Sequence, residues 1–135
     1  ATTAARDAVA ARLAGINRQA FAFPPDHGAR LVTTVLTDAD LRASWEAELA
    51  GYRARVREMR AGLAAALRAE TGSDRFGFLA DQRGMFSLVG ASPEQVERLR
   101  AEHALYMVGD GRINIAGLTS ATLGPTARAL AAVLG

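Results

Sequence analysis

Few residues of this sequence combine a reactive type with a setting that could use it. In GDGRINIAG (109–117), two glycines and an aspartate mark a turn, and Arg-Ile-Asn-Ile then alternates polar with apolar. On a strand that alternation sends Ile113 and Ile115 to one face and Arg112 with Asn114 to the other. A guanidinium is a planar fork matched to a carboxylate, so Arg112 is a candidate anion site. A solvated strand arginine fits the same stretch, and on local pattern it is the commoner outcome. Arg18 ends an Ala-rich helical stretch, where the helix dipole favours a cation with no ligand at all. His27, in PDHG, stands at a turn-to-helix junction, and His103 comes late in a helix. Neither has a cysteine partner or H-x-x-H spacing, so no metal site is expected. Ser87 and Ser92 lack a G-x-S-x-G context, which leaves a hydrolytic triad without support. GDGRINIAG matches neither a dinucleotide fingerprint nor a P-loop. Phe21, Phe23, Phe76, Phe78 and Phe86 read most simply as core.

The elements that must carry these residues follow from periodicity and caps. Residues 1–20 read as a helix with Val9, Leu13 and Ile16 on one stripe. Pro24 and Pro25 break it and push Phe23 toward extended geometry. Residues 29–36 read as a short helix, with a strand as the alternative. Leu41, Trp45, Leu49, Tyr52, Val56, Met59, Leu63 and Leu67 recur every three or four positions, which predicts one long amphipathic helix over about 38–70. Thr37 with Asp40 resembles its capping box, and Gly72 fits its C-terminal end. Arg42, Glu46, Arg53, Arg57 and Arg60 are expected on its solvated face. RFGFLA (75–80) and GMFSLV (84–89) flank DQRG and predict a hairpin. Ser92, Pro93 and Gln95 sign the start of a helix over 92–103. ALYMV and RINIA predict two strands around Gly109–Gly111, and a last helix starts near Gly124-Pro125. The fold class is α+β: helices packed on a small, mainly antiparallel sheet.

Composition narrows the function classes. The 135 residues suit one ordinary domain, half of them apolar and 22% charged, which is globular rather than disordered. Basic and acidic residues are interleaved at a net charge of +2, so no nucleic-acid stripe is present. No signal pattern or membrane span is read, and cysteine is absent, which makes a cytoplasmic setting the default. All sixteen basic residues are arginine. The chain therefore has no side-chain amine.

Taken in order, FPPDHGARLVTTVLTDADLRASWEAELAGYRARVREMRAGL (23–63), RGMFSLVGASPEQVERLRAEHALYMVGDGRINIAGL (83–118) and the closing helix resemble the C-terminal part of the aspartate/aromatic amino-acid aminotransferases. These are class I, fold type I, pyridoxal-phosphate enzymes. The combination of PPxHGA, LRxxWExEL, GMF and GRINxAG carries the resemblance over nearly the whole chain. It implies a parent enzyme that moves an amino group from an L-amino acid to a 2-oxo acid and works as a homodimer, with no nucleic acid or membrane partner. Arg112 would clamp the substrate α-carboxylate, with Asn114 on the same face as a further substrate contact. Arg18 would reach across the dimer interface to a side-chain carboxylate. Ala22 and Phe23 depart from the family's more polar residues there, which favours a bulkier or aromatic substrate. Phe86 would line the pocket mouth. Residues 1–22 would be a helix and arm from the end of the large domain, and 23–135 the small domain. The Schiff-base lysine and most pyridoxal-phosphate ligands would lie upstream, so the chain alone is expected to be catalytically silent. A free-standing amino-acid-binding or dimerisation module is the rival expectation.

Overall fold

The computed structural model describes residues 2–22 and 26–135; the break read at Phe23, Pro24 and Pro25 lies outside them. The chain divides into two compact units, Ala1–Ala47 and Glu48–Gly135.

The first unit holds α1 (Thr3–Phe21), α2 (His27–Thr37) and the opening turns of α3 (Ala39–Thr71). The Thr2 hydroxyl accepts from Ala5 N at 3.2 Å, satisfying one of the free amides that begin α1. The short stretch after the proline pair is helical, as its first reading has it. At α3 the cap moves by one residue. Thr37 is still helical and its hydroxyl donates to Thr33 O at 2.8 Å. The chain extends only at Asp38, whose carboxylate accepts from Asp40 N and Leu41 N, each at 3.0 Å. An extended residue is the one whose side chain can turn back on the first free N–H groups, so Asp38 and not Thr37 does the capping. Among the described residues of this unit none is buried, and Val9, Leu13, Ile16, Leu31 and Val32 are each more than half exposed.

The second unit has the core. The later turns of α3 contribute Met59, Leu63 and Leu67, all buried, to a cluster with Phe76, Leu79, Leu99, Ile113, Ile115 and Leu130. The remaining elements are α4 (Phe78–Asp81), β1 (Phe86–Leu88), α5 (Pro93–His103), β2 (Arg112–Asn114), a 3-10 turn at Ile115–Gly117 and α6 (Ser120–Leu134). Gly62 lets α3 approach α6 closely, because a Cβ there would lie 2.7 Å from Leu123 Cδ1. α3 ends at Gly72, in the left-handed region at φ 66°, as its sequence position predicts. The Ser92–Gln95 capping box that opens α5 is present in both directions.

The sheet is two-stranded and antiparallel, and it is not built from the expected hairpin. Residues 75–80 turn instead of extending: Gly77 N donates to Asp74 O, Leu79 N to Phe76 O and Ala80 N to Gly77 O. Phe76 and Leu79 are both buried, and a spacing of three puts them on one side of a helical turn, where a strand would separate them. β1 pairs with β2. ALYMV contributes only a bridge, Val108 to Arg112, because the chain leaves α5 through Ala104 in a left-handed conformation and Leu105 N returns to Leu99 O. α6 starts five residues before Pro125, since Thr119 and Thr122 form a capping box ahead of it, and Pro125 stands inside the helix without a backbone N–H to donate. No helix among the described residues is long and apolar enough to cross a membrane.

Candidate functional site

Arg112 opens β2 directly after the tight turn, and the turn is what fixes its start. Gly111 has φ 79°, and a Cβ on it would lie 2.8 Å from Ala91 O, so both backbone freedom and close approach require glycine. The Asp110 carboxylate spans the corner. Its Oδ1 accepts from Arg112 N at 3.1 Å, while its Oδ2 accepts from Arg112 Nη2 at 2.6 Å and Nε at 3.3 Å. The side-chain bond to the guanidinium holds the Asp110 carboxyl below the ordinary aspartate range, and the same bond raises the guanidinium further. This contact uses only the Nε edge. Nη1 has no partner among the described residues, and the Arg112 side chain is about half exposed. The Nη1–Nη2 edge is thus left without a carboxylate among the described residues, and its fork geometry suits a second one.

The strand register decides what surrounds it. Phe86 faces Asn114, Ser87 faces Ile113 and Leu88 faces Arg112. Alternation then places Phe86, Leu88, Arg112 and Asn114 on one face, while Ser87 and Ile113 are buried on the other. Three residues singled out in the sequence, Arg112, Asn114 and Phe86, are thus brought together. Leu88, 59% exposed and directly opposite Arg112, joins them without having been anticipated. A fork-shaped cation beside two exposed apolar side chains is suited to a carboxylate borne on an apolar group. Arg18 lies exposed in the last turn of α1, in the first unit. His27 opens α2 and His103 closes α5. No group of three His, Asp or Glu that could hold a metal occurs among the described residues.

Behind the ribbon the structure corrects one expectation. Arg60 is not on a solvated face: it is 1% exposed. Its Nε donates to Gly84 O at 3.2 Å and Nη2 to Gly84 O at 2.7 Å and Phe86 O at 2.9 Å. Nη1 donates to Leu79 O at 3.1 Å and to Ser87 Oγ at 2.8 Å. Every acceptor is neutral, and burial lowers the Arg60 guanidinium from its ordinary value. Spacing alone could have located it, because Val56, Arg60, Leu63 and Leu67 follow the i, i+4, i+7, i+11 pattern of the core face. Arg55, also on α3, donates to Ala116 O at 3.1 Å and Leu118 O at 2.7 Å just beyond β2.

Comparison with known proteins gives one consistent result. The family model for class I and II aminotransferases matches residues 1–130. The aromatic-amino-acid aminotransferase of Paracoccus denitrificans is 52% identical over 130 residues, covering 96% of this chain and 33% of that protein. A solved structure of an aromatic amino acid aminotransferase with 3-indolebutyric acid is 52% identical, with a TM-score of 0.89 over 98% of this chain and 34% of that one. The Burkholderia pseudomallei aromatic-amino-acid aminotransferase, covalently bound to pyridoxal phosphate, is 41% identical, with a TM-score of 0.86 over all of this chain and 34% of that one. The chain spans about a third of the length of the proteins it matches.

Proposed function

The chain belongs to the class I and II aminotransferases, and from that premise we propose that it supplies the substrate-carboxylate clamp of a pyridoxal-phosphate-dependent aromatic-amino-acid aminotransferase. The parent enzyme transfers an amino group from an L-amino acid to a 2-oxo acid of the 2-oxoglutarate or oxaloacetate type. The observation that carries this reading is the open Nη1–Nη2 edge of Arg112, on a ribbon face shared with Phe86, Leu88 and Asn114.

On this reading Arg112 accepts the α-carboxylate and so fixes the amino acid's Cα. Phe86 stands at the pocket mouth and, with Leu88, keeps water from the bound carboxylate, which strengthens the ion pair. Asn114 offers a neutral polar contact on the same face. Arg18, in its exposed helix end, receives the side-chain carboxylate of dicarboxylic substrates across a homodimer interface. Residues 1–22 are the helix and arm leaving the large domain, and 23–135 form the small domain. The uncovered apolar residues of α1 and α2 support a first unit made to pack against other parts of such a dimer.

Pyridoxal phosphate, when bound, supplies the electron sink for amino transfer. A side-chain amine anchors it, and these 135 residues have sixteen arginines and no lysine. The donor set present does not fit the cofactor by itself. We assign this chain the holding and orienting of substrate, and expect it to be inactive alone.

The test is Arg112→Ala in the full holoenzyme, with 3-indolepropionate as a non-reacting carboxylate probe. Loss of a charge-assisted fork predicts about a 100-fold fall in kcat/KM, through a higher KM for both amino acid and oxo acid and a lower kcat from lost orientation. Probe affinity should fall with it. Normal kinetics in this variant would remove the assignment.

A further inference from the structure

We infer that Arg60 is a positioning residue for the carboxylate clamp, acting on Arg112 through the β1–β2 ribbon; this rests on the reading of Arg112 given above. A two-stranded ribbon of three residues per strand has little stiffness of its own. Its inner edge is laddered, with Ile115 N donating to Met85 O at 2.7 Å and Val89 N to Gly111 O at 3.1 Å. The Phe86 carbonyl belongs to the other edge of β1, where a third strand would normally bind. There it meets Arg60 Nη2 at 2.9 Å. One guanidinium thus stands in for a missing strand. It reaches four residues from Leu79 to Ser87, including Gly84 in a segment with no regular structure.

The chemistry of Arg60 explains why an arginine is needed. Its five N–H groups match the five bonds present, in a planar fork that a lysine could not reproduce. Ser87 completes the set: it accepts from Nη1 and donates to Gln82 Oε1 at 2.7 Å, so the hydroxyl is fixed in both directions. Ser87 lies across from Ile113, and the next pair along is Leu88 with Arg112. A shift of β1 toward the space left by Arg60 therefore carries the clamp with it. An oriented carboxylate contact is sensitive to displacements of about 1 Å, at a cost of up to about 100-fold.

The experiment is a double-mutant cycle in the holoenzyme, using Arg60→Lys, Arg112→Ala and the pair, read by 3-indolepropionate affinity and by steady-state kinetics. Arg60→Lys keeps the charge and loses the fork. Its expected result is about tenfold weaker probe binding and a raised KM, with a single cooperative melt. In the double variant the two losses should not add: once Arg112 is gone, Arg60→Lys should cost the probe less than twofold. Ser87→Ala, which removes one acceptor and leaves Arg60 in place, should weaken the probe about threefold and keeps the test open if Arg60→Lys does not fold. Full additivity, or normal probe affinity in a folded Arg60→Lys or Ser87→Ala enzyme, overturns the inference. If Arg112→Ala itself binds the probe normally, it is the clamp assignment that fails.

Discussion

At the scale of single residues, the contact that matters most is the one Arg112 already has. Asp110 engages the Nε edge and orients the guanidinium, so in the proposed clamp an incoming carboxylate would find a prepared fork. The aspartate titrates below its ordinary value because its charged form is the one that is bonded. The sign of the pH effect follows. A carboxyl whose folded pKa is depressed contributes above its unfolded pKa near 3.9, and that contribution is lost as pH falls through the folded value. Carboxyl NMR titration should therefore place Asp110 below the ordinary aspartate range, and Arg112→Ala should return it to that range. An Asp110 that titrates normally in the unmutated chain would mean that the pair does not hold in solution. Arg60 shows what a residue-by-residue reading misses. An arginine among arginines on a helix looks solvated until its register with Val56, Leu63 and Leu67 is counted, and the identity of its acceptors, all neutral and up to 27 positions away, has no local sequence signal.

Elements whose signals are local were legible, and those settled by tertiary partners were not. The α5 start could be read because Ser92 and Gln95 satisfy each other's backbone within four residues. The long helix could be read from its stripe, although Leu41, Trp45, Leu49 and Tyr52 remain exposed and only its later turns are buried. The hairpin at 75–89 failed because the choice between turn and strand at Phe76–Ala80 depended on burying Phe76 and Leu79 together, and because the partner of β1 lay 26 residues beyond it in sequence. The turn that begins β2 was legible in its glycines. It predicts a sharp outcome for Gly111→Ala: a positive φ plus a 2.8 Å approach to Ala91 O should cost about 2 kcal/mol or more, read by denaturant melts. By contrast Gly109→Ala, with nothing within 4 Å of its added Cβ and no left-handed φ, should change stability by no more than about 0.5 kcal/mol. Equal effects at the two glycines would show that the turn is less constrained than its geometry requires.

For the whole molecule, the contrast between the two units is the governing fact. The second unit encloses an apolar cluster from Met59 to Leu134, and Arg60 is satisfied within it. The first unit, among its described residues, buries none, while Val9, Leu13, Ile16, Phe21, Leu31 and Val32 stay open to solvent. Opening free energy tracks buried apolar contact, so the two units should differ in amide exchange although both are largely helical. In the 135-residue chain alone, amides in the later turns of α3 and in α6 should exchange slowly, near the global limit. Those of α1 and α2 should exchange at rates close to an isolated helix, because neither buries a described residue in the packing that supplies most helical stability. In the holoenzyme the same α1 and α2 amides should gain protection by at least tenfold, because covering these apolar residues is the role proposed for the rest of the dimer. Hydrogen exchange read by mass spectrometry on both samples checks this. Protection of α1 and α2 that is already full in the isolated chain would place their packing partner within these 135 residues and remove the argument for an external one.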